Sequence, residues 1–308
     1  MMISSFRLVG TSLIAGLLTV PTRAQEPSPK PAPQNPSPMV EHTRAHERLD
    51  ERDLPGVRLT VDGLLTQPVK VFIPRKAAGT RLFRLLIHFH GAAFVPEHAV
   101  SHVRPAYVLA VVNLGPGSAV YENAFRDPAV FDRFLEAMRE RLKSHSGGAE
   151  FSTVALSAFS AGHGAIRSIL REPRHAAAVG SVLLLDGLHA GYLPPRTVLA
   201  EGGALDEGPL TPFLRFAESA IGGKKALVIT HSEIFPGTFA STTETTDYLI
   251  RALGLKRVPV LAWGPLGMQQ LSKVEQGRLA ILGFAGNSAP DHVDHFHAMH
   301  HFLARLDF

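Results

Sequence analysis

Short apolar runs alternate with longer amphipathic stretches along most of the chain, and the spacing of apolar positions separates the two kinds. From about Asp53, GVRLTVDGLL and PVKVFIP predict an opening antiparallel pair of strands. RLFRLLIHFHG, AYVLAVVNLG, the TVALSAF run into Ser160, AAVGSVLLLDG, GGKKALVITHSE and GRLAILGFAGN are apolar almost throughout. Such runs predict strands buried on both faces. DPAVFDRFLEAMRERLKSH places Val130, Phe134, Leu135, Met138 and Leu142 on one helical face behind Asp127 as N-cap. TTETTDYLIRALG predicts a helix stopping at Gly254, and DHFHAMHHFLARL predicts the closing helix, beginning near His295. Strands of this type separated by helix-length segments imply an α/β fold, a mostly parallel central sheet with helices on both faces. In such sheets a ligand sits beyond the carboxyl ends of the strands, so the residues just after each apolar run carry the chemistry. The segment from Pro194 to Phe216 is an insertion between strands, placed where it can cap that edge.

The N-terminus breaks the pattern. Arg7, the apolar run LVGTSLIAGLLTV and a small residue at Ala24 predict a secretory signal peptide over residues 1–24. Residues 25–52 form a proline-rich tether with a charged lead-in, because alternating prolines deny the segment a helix or a paired strand. One folded domain then runs from 53 to 308, and a 308-residue chain that is 45% hydrophobic can bury a large core in it. The chain has no cysteine, which is compatible with a bacterial periplasmic or extracellular location when the core is large enough to need no staples. Without Arg7 and Arg23 the basic and acidic residues number 29 and 27. With no basic stripe interleaved with aromatics, this balance excludes nucleic acid as a partner. No other segment approaches membrane-spanning length.

The strand ends supply His90-Gly91, Asn113, Ser160, Asp186, Glu233 and the late group His292, His295 and His297. Ala158-Phe159-Ser160-Ala161-Gly162 sets a serine between small residues at a strand-to-helix junction. A tight turn that exposes a nucleophile needs such neighbours. His-Gly after an earlier strand, Ser160 at the junction, an acid and then a late histidine together resemble the α/β-hydrolase fold family over about Asp53 to Phe308. Ala158 stands where that family's G-x-S-x-G motif has its first glycine.

The resemblance implies a serine hydrolase, esterase- or lipase-like, that cleaves an ester or an amide through an acyl-enzyme without a cofactor. Ser160 is then the nucleophile, and the N–H groups of Ala92 and Ala161 form the oxyanion hole. His295 is the first choice of base and His292 the second. Asp186, at the end of a wholly apolar run, is favoured as the acid over Glu233. Tyr121 and Phe125 lie where a cleft-lining or packing role fits, and Trp263 reads as surface or pocket-rim packing.

Two alternatives remain open at this point. His88 and His90 alternate onto one face of a strand and, with Asp291, His292, Asp294 and His295, can be read as metal ligands. Against this, no H-E-x-x-H motif occurs and Ser160 is left unexplained. The other alternative is a binding protein on the same fold.

Overall fold

The computed structural model describes residues 48–146 and 150–306. The proposed signal peptide and most of the proline-rich tether lie outside the described residues. β1 (Gly56–Val61) and β2 (Val69–Pro74) form the expected antiparallel pair. They are followed by β3 (Leu82–Phe89), α1 (Phe94–His102), β4 (Tyr107–Val112), α2 (Ser118–Ala124) and α3 (Pro128–Ser146). β5 (Glu150–Phe159) leads through a single 3₁₀ turn into α4 (His163–Arg171), α5 (Pro173–Ala178) and β6 (Val179–Leu185). A small hairpin of β7 (Tyr192–Leu193) and β8 (Ala204–Leu205) precedes α6 (Thr211–Ile221) and β9 (Ala226–His231). The chain closes with α7 (Thr242–Ala252), β10 (Val258–Trp263), β11 (Gln269–Gln276), β12 (Leu279–Phe284), α8 (Ala289–His297) and α9 (Met299–Leu303).

Ten strands form one sheet in the order β1-β2-β4-β3-β5-β6-β9-β12-β11-β10. The six from β4 to β12 run parallel, and antiparallel pairs flank them on both sides. Period-two alternation divides the core. Leu85, Ile87 and Phe89 of β3 face α3, α4 and α6, while Leu86 joins Val95 and Ala99 of α1 and Phe302 of α9 on the opposite face. The expected α/β sheet covered on both faces is therefore present.

Elements the apolar spacing did not announce have identifiable causes. β10 is an edge strand containing Pro259, with Leu261 and Trp263 exposed, so it carries no buried alternation. α1 has Pro96 in its first turn, which interrupts the residue pattern without breaking the helix. Leu49, from the charged lead-in, and Leu54, just after it, pack against the core face that includes Phe296 of α8. Arg48 there meets Asp294, and the Leu49 amide donates to His297 Nδ1 at 2.9 Å.

A close backbone approach marks the β5–α4 junction. A Cβ on Gly162 would lie 2.2 Å from the Phe89 carbonyl oxygen, a backbone atom of β3. Gly162→Ala is expected to lower stability by about 1–3 kcal/mol, read as a drop in the urea midpoint at unchanged slope. An unchanged midpoint would show that the junction can open.

Candidate active site

Three residues outside glycine adopt left-handed backbone where three neighbouring strands end. They are His90 (φ 73°) after β3, Ser160 (φ 48°) after β5 and Asp186 (φ 42°) after β6. Each such residue costs of order 1–3 kcal/mol and persists only where its surroundings enforce it. Here the enforcement is local. Gly162 lets the turn after Ser160 lie against β3, and a Cβ on Gly187 would meet the Ser160 backbone at 2.6 Å. Ala158, two residues before the serine, is fully buried, so a methyl is accommodated where the motif has glycine. Ser160 itself is half-exposed, between the apolar end of β5 and the start of α4.

Asp186 is 1% exposed and surrounded by donors. The Ser232 amide (2.9 Å) and the Thr242 hydroxyl (2.6 Å) donate to Oδ1, and the Ser232 hydroxyl (2.7 Å) donates to Oδ2. His292 Nδ1 lies 2.7 Å from Oδ2. Burial alone would raise this carboxyl. The nearby His295 and His292, with the Thr242 hydroxyl, outweigh it and hold Asp186 well below the usual carboxylate range. Asp186 is thus an ionised, immobile acceptor for an imidazole N–H. Glu233, the alternative acid, is exposed, and its amide is tied to the Gly286 carbonyl.

The histidine brought to Asp186 is His292, the second choice, and not His295. His295 is 1% exposed, with Nδ1 2.8 Å from the Thr230 hydroxyl and its ring edge-on to Phe284. The shift by one turn follows from where α8 begins. Ser288 accepts from the Asp291 amide and Asp291 returns the bond to the Ser288 amide, a capping box that starts the helix at Ala289. His292 therefore sits in the first turn, its side chain 24% exposed, while His295 is turned into the core. The Ser-x-x-Asp spacing before the histidines was the signal that sequence reading passed over.

The His90-Gly91-Ala92 loop is held by a small polar network. His90 Nδ1 lies 2.9 Å from the Tyr121 hydroxyl, which donates to Asn113 Oδ1 at 3.1 Å, and Asn113 Nδ2 donates to the Gly91 carbonyl at 3.2 Å. Tyr121 is fully buried and does structural work here, as does Phe125 in the core. Ala92 is exposed at the tip of this loop. It borders a cleft of about 830 Å³ with Phe94, Glu97, Arg58 and Asn113. Ser160 and Ala161 open onto a second cavity of about 440 Å³, with His163, Arg167, His189 and Phe239. Pro209, from the insertion, contributes to its wall.

The metal-ligand alternative is not assembled. His88 is fully buried, with Nδ1 2.8 Å from the Ser157 hydroxyl and Nε2 2.8 Å from the His90 carbonyl, so both ring nitrogens are taken. Among the described residues no group of three or more His, Cys, Asp or Glu side chains is placed to hold a metal ion. Asp291 serves the capping box and Asp294 meets Arg48.

The mostly parallel sheet, with antiparallel pairs at both edges and helices on both faces, fits the α/β-hydrolase fold. No protein-family model matches the chain, and no curated protein matches it in sequence. Among solved structures it is similar to FAE, with 13% identity, 89% of this chain and 94% of that chain covered, and a TM-score of 0.46. It is also similar to an acylaminoacyl peptidase of Pyrococcus horikoshii, with 10% identity and a TM-score of 0.44. That second match covers 82% of this chain and 40% of the peptidase.

The two carboxylates make opposite predictions. On the resemblance's assignment of Asp186 as the acid of an ester hydrolase, Asp186→Asn is expected to lower kcat for a small ester by about 10⁴-fold, because the amide no longer favours the imidazole tautomer that accepts a proton. Glu233→Gln is expected to leave kcat unchanged. Steady-state kinetics of the two variants check this pair.

Proposed function

We propose that the protein is an exported serine hydrolase that cleaves carboxylic esters, or amides, through an acyl-enzyme. The observation that carries this reading is the 2.7 Å pairing of His292 with the buried Asp186, at the strand edge where Ser160 stands in left-handed backbone. Asp186 fixes the proton on Nδ1, which leaves Nε2 of His292 as the base. Nε2 accepts the Ser160 proton as Oγ bonds to the substrate carbonyl carbon. The negative oxygen that forms is met by the N–H groups of Ala92 and Ala161, together worth a few kcal/mol of barrier. The imidazolium then returns its proton to the leaving oxygen or nitrogen as that bond breaks. Water, deprotonated by the same imidazole, releases the acid and restores Ser160. All groups come from the chain, and no cofactor enters the cycle.

Export rests on the N-terminal segment, with its single early arginine, apolar run and Ala24. No helix among the described residues is long and apolar enough to cross a membrane. The partner is a small-molecule or polymer ester.

Rapid mixing with a short p-nitrophenyl ester tests the proposal. A burst of nitrophenol approaching one per enzyme, unaffected by a strong chelator, is the expected result. Hydrolysis abolished by the chelator would overturn the serine mechanism. Failure to hydrolyse any ester or amide would favour a binding role.

A further inference from the structure

The cavity beside Ser160 carries two imidazoles that the proton relay does not use. His163 begins α4, and its Nδ1 lies 2.9 Å from the Ser160 carbonyl oxygen. His189 follows Asp186 by three residues, and its Nδ1 lies 3.1 Å from the Ala240 carbonyl oxygen. A carbonyl oxygen can only accept, so in both rings Nδ1 carries the proton. In a neutral imidazole the other nitrogen, Nε2, is then an acceptor. Both rings are held neutral. Burial pushes the two pKa values down, and the Arg167 guanidinium lowers each further. For His189 the Ala240 carbonyl and Asp186 pull the other way without prevailing.

Both residues line the cavity, and neither Nε2 has a hydrogen-bond partner among the described residues. Their rings stand 5.6 Å apart at 64°, and Phe239 packs edge-on to His189 at 5.0 Å. Arg167 shares the wall, with Nη2 engaged by Glu122, which also receives Arg171. The wall thus combines apolar surface with two fixed acceptors close to the nucleophile. A bound group satisfies such acceptors only if it brings donors, and an unmatched buried polar group is costly.

We propose that this cavity is a specificity pocket for a substrate group bearing a hydroxyl, whose O–H donates to Nε2 of His189 or His163. The inference rests on the ester-hydrolase reading of Ser160 and deepens it. His189 is the better residue to change, since His163 touches the Ser160 backbone.

The test uses two matched pairs of esters. Methyl 3-(4-hydroxyphenyl)propanoate against methyl 3-phenylpropanoate places the hydroxyl on the acyl side. 6-Hydroxyhexyl acetate against hexyl acetate places it on the alcohol side. In at least one pair the native enzyme is expected to prefer the hydroxylated ester by about tenfold in kcat/KM, the effect of one net hydrogen bond. His189→Phe should bring that ratio close to one, whereas a merely structural role would lower both members of the pair equally. His189→Gln, which keeps a donor and an acceptor, should restore part of the preference and guards against misfolding of the Phe variant. Turnover without hydroxyl preference in either pair, or a preference untouched in both variants, would overturn the proposal alone. So would a stronger preference for monomethyl succinate, which would assign the wall to Arg167. No turnover of any of these esters, with no burst on the nitrophenyl ester, would overturn the hydrolase reading itself.

Discussion

Ser160→Ala will abolish turnover, with a loss of about six orders of magnitude in kcat, and leave the unfolding midpoint where it was. The size follows from the role. Without Oγ there is no acyl-enzyme, and whatever catalysis remains comes from the oxyanion donors and substrate positioning. The unchanged stability follows from the place. Ser160 is half-exposed at the lip of a cavity, and alanine occupies the same φ of 48° at a similar steric cost. Assays of kcat alongside thermal unfolding separate the two effects. A variant that kept a hundredth of native activity would mean that another group performs the attack.

His292→Ala should match that loss, and His295→Gln should not. The two histidines are three residues apart on α8 and serve different neighbours. His292 is partly open, and its Nδ1 meets Asp186, which leaves Nε2 for the base role proposed above. His295 is buried against Thr230 and Phe284. Its replacement disturbs the Thr230 hydroxyl, which also accepts the Asp186 amide at 3.2 Å. The expected outcome for His295→Gln is a stability loss of about 1–3 kcal/mol with kcat per folded molecule within tenfold of native. For His292→Ala it is a kcat per folded molecule about 10⁶-fold lower, with a lowered midpoint because the buried Asp186 carboxylate loses its imidazole partner. The reverse pattern would return the base to His295 and leave the Asp186–His292 pair without a catalytic purpose.

How much of this was legible in the sequence depends on whether a signal was local. The parallel strands were legible because burial on both faces leaves unbroken apolar runs, and α3 because five apolar residues share one face behind Asp127. β10 was not, because an exposed edge strand with Pro259 has no reason to alternate. The tight turn at Ser160 was legible from its small neighbours, and the Gly162 contact with β3 gives their physical reason. Asp186 stood out as a carboxylate ending the run LLLD. The placement of His292 rather than His295 beside Asp186 depended on a helix start that the unbroken histidine-rich stretch obscured, the capping box of Ser288 and Asp291. The donors around Asp186 come from Ser232, Thr242 and His292, positions 46, 56 and 106 residues further along the chain, so no local pattern could have announced them.

The most direct measurement is active-site labelling of the native protein with a fluorophosphonate, followed by mass mapping of the modified peptide. The chemistry derived above predicts a single adduct on Ser160, formed equally with and without a chelator and lost in His292→Ala. An adduct on another residue, or labelling that survives in His292→Ala at the native rate, would contradict it.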